Sequence, residues 1–339
     1  MTTGMNADMN AGMKIGTIAA QPGEKAFGFL QATATHAHFA VQLPLHIVAG
    51  AKPGPTLLVQ AGLSGLEIEP SAILPPLVQE LDPAEISGTL LLVPLFNMSG
   101  FEFEQVESAW DGKNLTTLGR GNPQGTVSEV LMDHYFTQVV SRADALVEIR
   151  TGALWGYHRY AGVYDVGDVA RSQALAVALG LPQVLLGQPA DNSPAEAAAL
   201  AGKTVVSAWI GGGPGLRDYR AEDAARMRHA VYNAMRHLGM IAGALEAETS
   251  HISVYRGHTV IRTEGPRGLT FMAKEKRGRL IEAGEEIGLV RHPYTGETIH
   301  HLIAPRAGTL LHAGAVWPMV PEGETLAILG DLVAEVPVG

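Results

Sequence analysis

The chain has 339 residues, more than one domain usually holds; with 46% hydrophobic and 17% charged residues, a large α/β domain with a smaller companion and an ample core is expected. Its formal charge of −10 argues against nucleic acid as a partner. The absence of cysteine excludes disulfides and thiolate chemistry and leaves His, Asp and Glu as the available metal ligands.

Residues 1–41 read as an N-terminal lead-in with edge strands. The lead-in has no basic stretch followed by an apolar one, so it does not resemble a signal peptide. Short apolar runs at 44–50 and 56–62, separated by Ala-Lys-Pro-Gly-Pro, predict a strand, a turn and a buried strand. From Ile68 the spacing becomes helical, with Ile73, Leu74, Leu77, Val78 and Leu81 on one face, and after Gly88 an apolar run over 89–96 predicts another strand. Thr126-Val127-Ser128-Glu129 is a capping-box pattern opening a helix whose face is Val127, Val130, Leu131, Tyr135 and Val139. Residues 145–149 then form a buried strand. The most apolar run, 174–187, is broken by Gly180 and Pro182 and falls short of the roughly 20 residues a membrane span needs, so a cytoplasmic protein without a membrane partner is expected. Ser193-Pro194 opens an Ala-rich helix closed by Gly202, residues 204–210 read as a strand, and a helix runs over 222–238 with Gly239 as its stop.

Alternating strands and helices of this kind predict an α/β domain over 42–245, with a mostly parallel or mixed sheet covered by helices on both faces. From 246 to 339 the texture changes to short β-type runs with regular glycines. Residues 268–290 and 308–329 echo each other loosely, which predicts a small β-barrel or sandwich.

Five ordered segments resemble the succinylglutamate desuccinylase/aspartoacylase family, whose fold is zinc-carboxypeptidase-like. Gly62-Leu63-Ser64-Gly65-Leu66-Glu67 stands where the family has a His-Gly-Asp-Glu-like turn, and Pro94-Leu95-Phe96-Asn97-Met98-Ser99-Gly100-Phe101 is similar to its "PxxNPxGF" segment. Residues 111–126, from Asp111-Gly112-Lys113-Asn114 through Thr116, Thr117 and Arg120, align without a gap to "DGxNLNRxFPGxPxGT". Glu148-Ile149-Arg150-Thr151-Gly152 matches "Asp-Leu-His-Thr-Gly", and Trp209-Ile210-Gly211-Gly212-Gly213 matches "Glu-x-Gly-Gly-Gly". The resemblance extends to the C-terminal region, similar to the family's lipoyl-like barrel, and covers about residues 42–330.

The resemblance implies a zinc-dependent N-acyl-amino-acid amidohydrolase, and it also implies where this chain departs from one. The family's three zinc ligands fall on Ser64, Glu67 and Arg150; its general base falls on Trp209; its substrate-binding Asn-Arg pair falls on Thr116 and Thr117. A neutral hydroxyl is a poor zinc ligand and a guanidinium is permanently cationic. Catalysis by the family mechanism is therefore expected to be lost and no zinc or other cofactor is expected, while Asn97 and Asp111 are kept. Arg150 is expected to pair with Glu67 in the space of the missing cation. The remaining pocket would be lined by Arg120 and His158 as well, and would take a small carboxylate or N-acyl amino acid, or the chain would serve as partner to an active paralogue. A homo-oligomer is expected. The alternative is an active deacylase with a site rebuilt from Glu67, Glu148, His158, Arg150 or Arg120.

Other motifs carry less. Ser64 lacks the last glycine of a nucleophile elbow. The glycine run at 211–215 has no Lys-Ser/Thr after it, as a phosphate loop would. His134, His300 and His301 show no ligand spacing with a carboxylate, and Lys274 and Lys276 read as solvated lysines rather than attachment sites.

Overall fold

The structure is a computed structural model, and it describes residues 12–153, 156–188, 191–213, 220–262, 267–314 and 325–338. Of the sequence features, residues 1–11 of the N-terminal lead-in, 214–215 of the glycine run and 315–324 of the second quasi-repeat lie outside the described residues.

A hairpin of β1 (Met13–Ile15) and β2 (Ile18–Ala20) is followed by two long antiparallel strands, β3 (Glu24–Ala34) and β4 (Ala40–Ala49), and then by β5 (Lys52–Ala61). The predicted turn at Pro53-Gly54-Pro55 instead belongs to the exposed start of β5. Its ladder with the next strand skips from Lys52 to Thr56, which removes the need for the N–H groups that proline lacks. Helix α1 (Glu69–Glu80) buries the predicted face of Ile73, Leu74, Leu77 and Val78, although Pro75 and Pro76 lie inside it. Strand β6 (Ser87–Val93), the short α2 (Met98–Glu102), α3 (Val127–Gln138) and β7 (Ala145–Arg150) follow. Then come β8 (His158–Tyr164), α4 (Val169–Ala178), β9 (Gln183–Gln188), α5 (Pro194–Leu200), β10 (Thr204–Gly211) and α6 (Ala221–His237).

Among the described residues the C-terminal region is β apart from a helical turn at Lys274–Lys276: β11 (His251–Arg262), β12 (Leu269–Met272), β13 (Leu280–Ile281), β14 (Glu286–Arg291), β15 (Thr298–Ile303), β16 (Gly308–Ala313) and β17 (Thr325–Pro337). Strands β12, β14 and β15 form a separate three-stranded sheet. The others join the main sheet, whose twelve strands run β13-β16-β17-β11-β9-β8-β10-β7-β5-β6-β4-β3.

That sheet is mixed. Strand β5 is parallel to β6 and β7, and β10 is parallel to β7, but β8 is antiparallel to β10 and β4 is antiparallel to β6. Helices cover both faces. One core lies under α1, α4 and α6, with Leu57, Val59 and Val147 from the strands; the other lies under α3 and α5, with Leu58, Leu146 and Val205. Adjacent strand residues thus feed opposite cores, as a period of two requires. A third core, including Ile281, Ile287, Leu310 and Leu329, sits within the C-terminal region. No helix of the described residues is long and apolar enough to cross a membrane.

Candidate functional site

The site forms where the central strands end. At the end of β5, Gly62 adopts φ of 69°, and backbone bonds from Phe96 N to Ala61 O and from Asn97 N to Gly62 O, 2.9 and 2.7 Å, fasten the segment after β6 to it. A Cβ at Gly62 would come within 2.9 Å of Leu95, so both conformation and space select glycine there. The chain then turns back on itself, with Glu67 N donating to Ser64 O at 3.0 Å, which presents Glu67 to the end of β7.

Register sets the rest. Gln60, Glu148 and Ser207 stand level across β5, β7 and β10, and Trp209 pairs with both Arg150 and Tyr160. Residues that pair level in neighbouring strands share a face, so Glu148 and Arg150 both project from one side of β7. The Glu148 carboxylate accepts from Gln60 Nε2 and Ser207 Oγ, each at 2.9 Å, and Tyr135 on α3 donates to Gln60. Burial raises the Glu148 carboxyl above its usual range, and Arg150, with Nη1 at 3.9 Å, offsets only part of this.

Arg150 Nε donates to Glu67 Oε1 at 2.7 Å, and its guanidinium lies 4.7 Å from the centre of the Trp209 ring. Exposure is 2% for Glu67 and 9% for Arg150. Burial alone would lower the Arg150 pKa, but the charges of Glu67 and Glu148 outweigh it and hold the guanidinium above its usual value. Glu67 also accepts longer contacts of 3.4 Å from the backbone N–H groups of Ser64 and Thr151, and the Ser64 hydroxyl accepts from Leu66 N at 3.3 Å. Among the described residues, no three His, Cys, Asp or Glu side chains converge as a metal ion would require.

An aromatic wall continues from the pair. Tyr160 stacks on Trp209 with centroids 5.9 Å apart, His158 meets Trp209 edge-on at 5.3 Å, and His158 stacks on His312 of β16 at 4.5 Å. Burial drives the His158 imidazole well below its usual pKa, with neighbouring His312 adding to the effect. Tyr160, Leu185 and Tyr255 form the apolar backing, where β8 and β9 meet β11. The loops above are tightly packed: a Cβ on Gly212, whose φ is 89°, would lie 2.4 Å from Gly152 N.

The structure therefore gathers Ser64, Glu67, Arg150, Trp209 and His158. It uses the other anticipated residues differently. Asn97 caps α2, accepting from Gly100 N at 2.8 Å, and Asp111 accepts from Ser128 N and Oγ at 2.8 and 2.7 Å at the start of α3. Thr116 and Thr117 hydroxyls donate to the side chain and backbone of Asn114, at 2.8 and 3.2 Å, and Arg120 is exposed. Among the described residues none of these five is hydrogen-bonded to Glu67 or Arg150. Asn97 lines a cavity of 80 Å³ with Phe96, Ser99, Ser108 and Trp110, which neither Glu67 nor Arg150 lines. Sequence reasoning missed Gln60, Ser207, Tyr160 and His312. The first two had a signal, since each is a polar residue flanked on both sides by apolar ones within a buried strand.

Comparison with known proteins agrees with this architecture. Residues 53–238 match the succinylglutamate desuccinylase/aspartoacylase catalytic domain. An N-alpha-acetyl-L-2,4-diaminobutyric acid deacetylase from Halomonas elongata is 25% identical over 213 residues, which span 61% of this chain and 61% of that enzyme's own length. A product-bound ectoine utilization protein EutE (DoeB) from Ruegeria pomeroyi superposes with a TM-score of 0.80 at 23% identity, over 92% of this chain and 96% of that one. A succinylglutamate desuccinylase/aspartoacylase from Rhodobacter sphaeroides also gives 0.80, at 21% identity, over 93% and 97%. At these identities the structural likeness is one of fold, and that fold is the mixed α/β architecture of the desuccinylases and aspartoacylases. With more than half its length in the catalytic-domain match, the chain belongs to the succinylglutamate desuccinylase/aspartoacylase family.

Proposed function

We propose that this chain is a family member that has given up zinc-dependent amide hydrolysis and keeps its pocket for a small carboxylate of the N-acyl amino acid class, alone or as the partner subunit of an active paralogue. The observation that carries this reading is the 2.7 Å contact between Arg150 Nε and Glu67 Oε1 in a buried site. The residues at the three ligand positions do not fit zinc. Glu67 is the one good donor and already serves a permanent cation, Ser64 offers a neutral hydroxyl, and Arg150 repels a metal. At the position of the family base stands an indole, which can neither take nor return a proton at neutral pH.

The same arrangement supports binding. A guanidinium has five N–H donors in a planar fork, and Glu67 engages Nε, so donors remain for a ligand carboxylate, with Trp209 as a flat apolar wall. The Halomonas relative's name supplies the ligand class to try first, an N-acetylated diamino acid. The test is elemental analysis for zinc together with a hydrolysis assay of N-acyl amino acids by the pure protein. Substoichiometric zinc with no turnover is expected. Near-stoichiometric zinc, or deacylation abolished by pocket substitutions, would overturn the proposal in favour of an active amidohydrolase with a rebuilt site.

A further inference from the structure

The C-terminal β region meets the start of β8 at a contact between two imidazoles. His158 opens β8, and His312 lies on β16, whose pairing with β17 shifts register between Leu310 and His312 and leaves Leu311 unpaired. A bulge of this kind re-aims side chains. Leu310 stays in the C-terminal core, and Leu311 packs against the cluster of Tyr160, Leu185 and Tyr255. The His312 ring stacks on His158, with centroids 4.5 Å apart and planes 21° from parallel. The fit around them is close. His312 is 5% exposed, and a Cβ on Gly156 would come within 2.5 Å of its Cε1 and 3.4 Å of His158 Nε2.

The charges acting on the pair are positive. Arg277, which caps the helical turn Lys274–Lys276, donates from Nη1 to the Tyr157 carbonyl at 3.3 Å, next to His158. Lys274 is on the same turn; Lys276 is held by Glu285 at 2.8 Å rather than solvated, and Glu275 is exposed. Arg150 and His158 both lie against the Trp209 ring. Carboxylates on the adjoining elements are engaged elsewhere: Asp223 accepts from the Tyr157 hydroxyl and from Arg226, and Glu248 is bound by Arg226 at 2.7 Å. Among the described residues the histidines paired with a carboxylate are His229 and His301, and His312 Nδ1 is buried without a hydrogen-bond partner. Burial, then Arg277 and Lys274, push His312 down to about 4, while burial, then His312, Arg277 and Arg150, drive His158 well below its usual value.

We propose that the His158–His312 stack is an acid-released latch between β8 and the C-terminal β region, parted when either ring takes up a proton. Neutral imidazoles stack as other aromatic pairs do. An imidazolium in the same place is stripped of water, has no carboxylate to meet it and faces Arg277, whose charge is permanent. The neighbouring contact across the seam, Leu311 with Tyr160 and Tyr255, carries no charge in acid, so the response belongs to the imidazoles. An unfolded histidine titrates near 6.5 and the folded His312 near 4. The latch therefore contributes fully above 6.5 and is lost as pH falls from 6.5 towards 4. Release uncovers the edge of Trp209 that His158 meets, which opens the aromatic wall from the C-terminal side. The latch operates whether or not the chain holds zinc or hydrolyses amides.

Hydrogen exchange of the full chain tests it, read by mass spectrometry on peptides from β16 and the start of β8 and corrected for the intrinsic pH dependence of amide exchange. As pH falls from 6.5 towards 4, the opening equilibrium of these segments should rise by up to about tenfold per pH unit for one proton taken up, while peptides from α1 and β5 keep their protection. The His158→Phe/His312→Phe double variant, which keeps stacked rings without a site for the proton, should abolish the rise. In the wild-type protein, the imidazole resonances of His158 and His312 should shift over the same pH range as the exchange. Exchange that does not change over that range, a rise equal in the double variant, or imidazoles that titrate near 6.5 while both segments stay protected, overturns the proposal.

Discussion

Arg150 is the only cation in contact with two buried carboxylates, Glu67 at 2.7 Å and Glu148 at 3.9 Å, among the described residues. Removing one member of a buried ion pair costs about 3–5 kcal/mol, because the partner is left uncompensated in low dielectric. Arg150→Ala should therefore lose stability of that order at neutral pH, measured by urea denaturation. Glu148 adds a pH dependence whose sign follows from its raised carboxyl. The folded state keeps that proton to higher pH than the unfolded chain, whose carboxylate titrates near 4.5. Its contribution is fully present below that value and is lost as pH rises through the folded one. Glu148→Gln should flatten the stability profile above pH 4.5, and Arg150→Ala should steepen it, since the offsetting charge is gone. A profile unchanged by Glu148→Gln would show that another group sets the slope.

Helix α3 shows how a family motif can serve an element rather than a site. Asp111 accepts from Ser128 N and Oγ and from Lys113 N, fastening the 111–126 loop to the helix start, while Glu129 accepts from Thr126 N at 2.7 Å. Partial burial would raise the Asp111 carboxyl, but the Ser128 bonds and those from Thr126 and Lys113 outweigh it and lower the pKa below the usual value. Asp111→Ala should cost about 1–2 kcal/mol in thermal denaturation, as loss of a helix-start acceptor does. That loss should fade in acid as the folded carboxyl protonates, and zinc content should not change. Most elements of this kind were legible because their signals are local: the capping box of α3, the apolar face of α1, the Gly239 stop of α6. The segment β8-α4-β9 was not. His158-Arg159-Tyr160 breaks the apolar alternation at the start of β8, and α4 is rich in small residues that give little periodicity. The site was legible through aligned strand ends, whereas Tyr160 and His312 reached it through antiparallel pairing and a contact 154 positions apart that no local pattern carries.

At the scale of the whole molecule, the sheet crosses from the α/β part into the C-terminal β region without a break. Strand β11 pairs in parallel with β9 over Ser253↔Gln183, Val254↔Val184 and Tyr255↔Leu185, and Ile252 and Val254 belong to the same core as Leu57 and Val147. Tyr255 packs with Tyr160 and Leu185 directly behind Trp209, so the C-terminal region supports the wall of the candidate site. A chain ended at residue 245, where the sequence texture changes, would expose the full edge of β9 and uncover Tyr160, Leu185, Val184 and Leu186. Open edges with apolar neighbours template association, and the uncovered core loses roughly 25 cal/mol for each Å² of apolar surface returned to water. The 1–245 fragment should therefore aggregate or lack a cooperative unfolding transition, by size-exclusion chromatography and circular dichroism, even though it retains every residue of the Glu67–Arg150 site. A monomeric fragment with a sharp transition would instead make the C-terminal region an appendage, and the site's aromatic wall would then be held by β8 and β10 alone.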